Sequence, residues 1–159
     1  MDLASWSLGL SLIVLTVATH TSGVVLMTLG LEARVRIRVD KPPPETLRVI
    51  PTVIGRIGAV ALILVALHGL EGVLWAAAYW RLGALDSFTD ASVYSLATMT
   101  TFELPGLTLP TRFHMLSALE AVNGALLFGI STAFLFAVMQ VHWKLLSHRQ
   151  DSWSGPPAE

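Results

Sequence analysis

Few side chains in this sequence can do chemistry, and most of those sit inside apolar runs. His68 and Glu71 are three residues apart, so a helix would put them on one face. Such a pair can brace two helices by a hydrogen bond, pass a proton, or supply two ligands to a metal. Alone it is short of ligands for a metal, so bracing of the second span against the short helix that follows is the reading adopted. His20 either joins this pair from the first apolar run or is satisfied alone. Glu120 and Asn123 repeat the three-residue spacing further on. Glu103 stands apart, after Thr100-Thr101-Phe102 and before Leu104-Pro105-Gly106. A ring of such carboxylates from several copies would select cations, and hard divalent ions prefer oxygen ligands. Glu103 is therefore the candidate metal ligand. The alternative has Glu103 turned back to hydrogen-bond the preceding helix.

The elements that must position these residues lie in lipid. Of 159 residues, 53% are hydrophobic and 13% charged, and the mean hydropathy is +0.65. A soluble domain carries about 25% charge, so a cytosolic enzyme is disfavoured. Ten basic residues balance eleven acidic ones, leaving no basic field for nucleic acid. The absence of cysteine removes disulfides, thiolate metal sites and cysteine nucleophiles.

Three runs suit a bilayer, which takes about 20 apolar residues to cross. Residues 1–31 form a first span and residues 50–80 a second. The third lies within residues 111–143, whose stretch from Ala121 to Trp143 carries no formal charge. Residues 32–49 form a basic and proline-rich linker with Arg34, Arg36, Arg38, Lys41, Arg48 and Pro42-Pro43-Pro44. Positive loops stay cytoplasmic, so the N-terminus faces outward and the tail, residues 144–159, faces the cytoplasm. Within the linker, arginines alternate with Val35, Ile37 and Val39, which fits positive-inside anchoring, a short strand or an amphipathic segment. The end of the tail, residues 152–159, reads as disordered.

Residues 82–110 do not span. Ser87-Phe-Thr-Asp90 reads as a helix start, with Ser87 as N-cap, and the helix would cover residues 87–99. About 18 Å of helix cannot cross a core of about 30 Å. Irregular chain follows over residues 100–106, where Pro105 and Gly106 break regular structure. Irregular backbone at membrane depth is tolerated only when buried in protein or lining a water-filled cavity. The order span, short helix, loop, span thus predicts a re-entrant pore loop.

Here a family resemblance enters. Val93-Tyr-Ser-Leu-Ala-Thr-Met-Thr-Thr101 resembles the pore helix of tetrameric potassium channels, in which a run such as SxxTxTT precedes the VGYGD filter. Leu107-Thr-Leu-Pro110 continues the match, and Leu119 to Phe136 resembles the inner helix of small bacterial members with three spans. The likeness covers roughly Thr16 to Gln140. It implies an all-α membrane protein: three transmembrane helices, a re-entrant pore helix and a filter loop, assembled as a homotetramer. The filter departs from the pattern, because Phe102, Glu103, Leu104, Pro105 and Gly106 replace V-G-Y-G-D. Glycine there would permit the backbone that aims carbonyls inward; Glu103 and Pro105 do not. Thr101-Phe102-Glu103 instead resembles the Thr-x-Glu of bacterial voltage-gated sodium and calcium channels.

The sequence therefore predicts a passive cation channel, not an enzyme, with a filter over Thr100–Gly106. Sodium, potassium and calcium are its permeant or blocking ions, and no cofactor is expected. On the inner helix, Gly124 and Gly129 are candidate hinges or packing positions, and Phe136 and Met139 a candidate apolar gate. His20, His68, Glu71, Glu120 and Asn123 form a structural polar cluster. The expected partners are three further copies, the lipid bilayer and cations, and the expected location is the cell inner (plasma) membrane. Two alternatives are a potassium channel with an atypical filter and a non-conducting accessory or sensor subunit. A membrane enzyme built on His20, His68 and Glu71 lacks a nucleophile and a cofactor motif.

Overall fold

The computed structural model describes residues 3–36 and 46–151. Long apolar runs with internally satisfied backbones give three long helices: α1 (Leu3–Arg36), α2 (Thr46–Arg81) and α4 (His114–Asp151). Each is long and apolar enough to cross a membrane, over Ser5–Gly30, Pro51–Arg81 and Thr111–Val141. Between the second and third lies a short helix, α3 (Phe88–Met99). The described residues contain no strand. The chain is an all-helical protein with three candidate membrane spans.

The helix ends differ from the sequence reading at three places. Helix α1 continues to Arg36 and α2 begins at Thr46, so both reach into the linker. Helical Arg34 and Arg36 exclude a strand there; residues 37–45, with Arg38, Lys41 and the three prolines, lie outside the described residues. Helix α2 passes through Pro51 near its start, where a proline forfeits only one backbone bond of a 36-residue helix. Helix α4 follows a 3₁₀ turn at Thr111–Phe113 and runs past residue 143 to Asp151. The tail beyond it, residues 152–159, lies outside the described residues.

Local chemistry sets the ends of α3. Ser87 is its N-cap, its hydroxyl oxygen accepting the Asp90 N–H at 2.9 Å. Trp80 meets Phe88 edge-on at 6.0 Å, fixing the turn that joins α2 to α3. Helix α2 ends in a Schellman motif, with Gly83 N–H donating to Trp80 O and Ala84 N–H to Tyr79 O. Helix α3 ends the same way: Thr101 N–H donates to Thr98 O at 2.9 Å and Phe102 N–H to Ala97 O at 2.8 Å. Its left-handed residue, however, is Thr101, with φ +57°. A non-glycine residue there costs about 1–3 kcal/mol. The chain then makes a type II turn over residues 104–107, with Leu107 N–H donating to Leu104 O at 3.3 Å. Pro105 pre-sets the first central position, and Gly106 takes the second at φ +90°.

The helices pack in layers along the bundle. At one end Trp75, Ala76 and Tyr79 of α2 meet Ala91 of α3 and Phe113 and Leu116 near the start of α4. At the other, Val60 and Leu64 of α2 meet Val138 of α4, with Val24 and Met27 of α1 alongside. Buried polar groups lie between and beside these clusters. Helix α3 lies between the C-terminal part of α2 and the N-terminal part of α4. Its last residue, Met99, touches Gly124, ten residues along α4 from His114, or about 15 Å at 1.5 Å per residue. A β-carbon at Gly124 would overlap the Met99 backbone, whereas one at Gly129 would meet open space.

Gly124 is thus a close-packing position, because backbone cannot yield as a flexible side chain can. Gly124→Ala is expected to lower stability by about 1–3 kcal/mol, read by thermal unfolding in mild detergent. Gly129→Ala should be neutral or gain up to about 1 kcal/mol from helix propensity. Equal melting of the two variants would contradict this packing.

Candidate functional site

The loop that carries the filter candidates hangs from the C-terminus of α3. Thr100 spends its hydroxyl hydrogen on that helix end, toward Ala97 O at 2.8 Å and Leu96 O at 3.2 Å. Thr101, Phe102 and Glu103 are exposed, Phe102 by 61%. Leu104 is half-buried, and Pro105 and Gly106 lie at the surface in the turn. Among the described residues no hydrogen bond ties Glu103 to α3, so the bond that would hold it behind the loop is not formed. Glu103 borders an open cleft of about 420 Å³ between α3, the loop and the start of α4. Tyr94, Thr98, Leu109 and Ser117 line the same cleft, and Tyr94 and Ser117 share a 2.8 Å hydrogen bond across it.

Two buried networks hold the scaffold behind this loop. The first centres on Glu120, which is fully buried. Tyr79 donates to Glu120 Oε2 at 2.7 Å, and Ser95 Oγ lies 2.5 Å from Oε1. Ser95 Oγ also lies 2.9 Å from Gly72 O. One hydroxyl proton cannot serve both oxygens. Every group is paired when Glu120 is a neutral acid: its O–H donates to Ser95, and Ser95 donates to Gly72 O. This arrangement ties α2, α3 and α4 together. The sequence pattern pairs Glu120 with Asn123, but the structure sends them apart, Asn123 donating to Thr16 of α1 at 2.9 Å.

The second network gathers His20, His68 and Glu71. His20 Nδ1 lies 2.8 Å from Glu71 Oε1, and His68 Nδ1 lies 3.3 Å from Oε2. Ser131 Oγ is 3.0 Å from the Nε2 of both rings. The pair at 3.3 Å is within ion-pair range yet misaligned for a hydrogen bond, so His68 Nδ1 and Glu71 Oε2 have no hydrogen-bond partner. One ligand atom from each of His20, His68 and Glu71 falls within 4.8 Å of the others, a set able to hold a metal ion. His20 therefore is not a lone histidine. The His68–Glu71 pair braces α2 against α1 and α4, not against α3 as expected. The reason is level along the helix: position 68 shares the face of Gly72, Trp75 and Tyr79, but Gly72 already meets Leu96 and Met99 at the last turn of α3, and one turn nearer the start of α2 that face meets α4.

Phe136 and Met139, proposed as a gate, are exposed on α4 at 57% and 45% within a single chain. Three groups central to these networks are missing from the sequence-based set: Tyr79, Ser95 and Ser131. Ser95 lies in the quoted pore-helix run and Ser131 among the small residues of α4. Tyr79 carries no motif at all.

No family model, curated protein or solved structure matches the chain.

The Glu120 network makes a direct prediction. A glutamine amide can donate to Ser95 and accept from Tyr79, as the neutral acid does. Glu120→Gln should leave thermal stability within about 1 kcal/mol of wild type, whereas Glu120→Ala, which leaves the Tyr79 hydroxyl without its acceptor beside a cavity, should cost about 2–4 kcal/mol. A glutamine variant as unstable as the alanine variant would mean that Glu120 acts as a charged group.

Proposed function

We propose that four copies of this chain assemble around the loop 100–106 as a passive cation channel of the cell inner membrane, with the N-terminus outside. One observation carries the reading. A short helix is wedged between two candidate spans by hydrogen bonds from Ser95, and its end presents an exposed loop bearing an unpaired carboxylate, Glu103. Met99 sits beside Gly124, well inside the apolar length of α4, which supports a loop that enters the membrane and returns. One loop cannot enclose an aqueous path, and closed cyclic symmetry supplies the rest.

Two features support a filter of carboxylates over a queue of carbonyls. Thr101 turns the chain at the foot of the loop with φ +57°, and residues 104–107 are committed to a type II turn. An extended run of inward carbonyls does not fit that backbone. The C-terminal end of α3, with its partial negative charge, opens on the same loop and favours cations. Residual strain at Thr101 fits a site whose shape is held by the surrounding structure.

Four Glu103 side chains near one axis would repel strongly. At about 4 Å and an effective dielectric of 20, each pair of full charges repels by about 4 kcal/mol. A divalent ion relieves this more than a monovalent one. Calcium is therefore expected to hinder sodium current at low concentration in planar-bilayer recordings of the purified protein. Glu103→Gln should abolish that block and weaken the preference for cations over anions, leaving assembly intact. A Glu103→Gln channel with wild-type reversal potentials and calcium sensitivity would place selectivity in the backbone. Reproducible silence of the wild type would favour a non-conducting accessory subunit.

A further inference from the structure

The His20–His68–Glu71–Ser131 ring poses a problem of proton accounting. A carboxylate oxygen without a proton only accepts hydrogen bonds, and each neutral imidazole carries one N–H. At 2.8 Å from Oε1, His20 Nδ1 must carry its proton, so His20 Nε2 accepts from Ser131. Ser131 then accepts from His68 Nε2, which leaves His68 Nδ1 bare against Glu71 Oε2. Those are the two atoms of the ring without a hydrogen bond. Glu71 is completely buried, and so is His20. The ring leaves one facing pair of polar atoms, His68 Nδ1 and Glu71 Oε2, without a hydrogen bond.

A proton on either of those atoms would have to point at the other, and that pair is misaligned. A metal needs the separation and not the alignment. Two ligands on a tetrahedral ion with bonds of about 2.05 Å lie about 3.3 Å apart. The observed distance is 3.3 Å.

We propose that His20, His68 and Glu71 form a binding site for one divalent transition-metal ion of the zinc type within the helix bundle. Two imidazoles and a carboxylate are a donor set suited to zinc, with a fourth position left for water. In the loaded site both Nδ1 atoms face the ion, and both Nε2–H groups donate to Ser131 Oγ. That oxygen has two lone pairs and lies 3.0 Å from each ring. Ser131 is then the partner that fixes both tautomers from behind the ligands. His20 needs only to exchange its proton from Nδ1 to Nε2, staying neutral. The ligand atoms span up to 4.8 Å, so the rings close by roughly 1–1.5 Å to reach the tetrahedral edge. With a hydroxide as the fourth ligand the site is electrically neutral, which suits an apolar surround. Entry is past His68, whose side chain is 11% exposed and whose ring stacks on exposed Phe128 at 4.2 Å. The inference is independent of ion conduction and uses no residue of the loop.

The test is zinc retention by the full chain in lipid nanodiscs. The protein is equilibrated with zinc chloride, desalted and assayed for metal by mass spectrometry. Wild type should keep about one zinc per chain, and cobalt loading should give the intense visible bands of a tetrahedral site. Ser131→Ala should weaken zinc affinity about 10–100-fold, and His68→Gln should lose it altogether. Glu103→Gln should keep wild-type stoichiometry, which separates this site from the loop. Folded wild type that retains no zinc and gives a six-coordinate cobalt spectrum would overturn the proposal, as would unchanged retention in His68→Gln. Should His68→Gln fail to fold, the wild-type cobalt spectrum and the Ser131→Ala affinity decide.

Discussion

The contact of Glu120 with Ser95 and Tyr79 is the constraint on which the rest of the bundle depends. Helix α3 has only 12 residues, too few to hold a helix alone, since isolated helices shorter than about 12–15 residues are marginal in water. Between helices in lipid, the hydrophobic effect supplies no attraction, so packing and hydrogen bonds must do the holding. Ser95 makes both bonds, donating to Gly72 O and accepting from Glu120, and the glycine at 124 lets the end of α3 lie against α4. Together with the Tyr94–Ser117 bond, which also ties α3 to α4, that attachment fixes the direction of the loop.

The second network acts at a different level of the bundle. Glu71 and the two histidines join α1 to α2, and Ser131 brings in α4. Helix α1 thereby becomes more than a lipid-facing addition, because His20 and Thr16 are wholly buried and bonded to the other spans. The two networks leave the loop 100–106 as the exposed end of a braced scaffold. A polar or ionic function at that loop requires such bracing, since ligands on a loose segment would not keep their geometry.

The coarse fold was legible because its signals are local. Run length and composition identify the three long helices, Ser87 marks the start of α3, and Pro105-Gly106 marks a turn. The cross-helix partners were not legible. Helices α1, α2 and α4 are apolar nearly all round, so no stripe announces which face turns inward. The sequence offers His20 as a member of the Glu71 cluster but points the pair at the helix that follows, α3, whereas the bonds run to α1, through His20 51 residues away, and to α4, through Ser131. Glu120 and Asn123 share a face by spacing, yet their side chains reach to different helices. The Schellman end at Thr101 has no signal in the sequence, because threonine is not a residue that announces a left-handed turn.

In the proposed channel the loops of several copies meet at one axis. The chain has no cysteine, so a single introduced thiol reports without background. Phe102→Cys places it on the exposed loop, and Val14→Cys places a control on the outer face of α1, where Val14 is 68% exposed. A short bifunctional maleimide applied to native membranes should link Phe102→Cys chains to one another and leave Val14→Cys monomeric. Phe102→Cys chains that remain monomeric while the thiol labels freely with a monofunctional reagent would contradict a shared central pore.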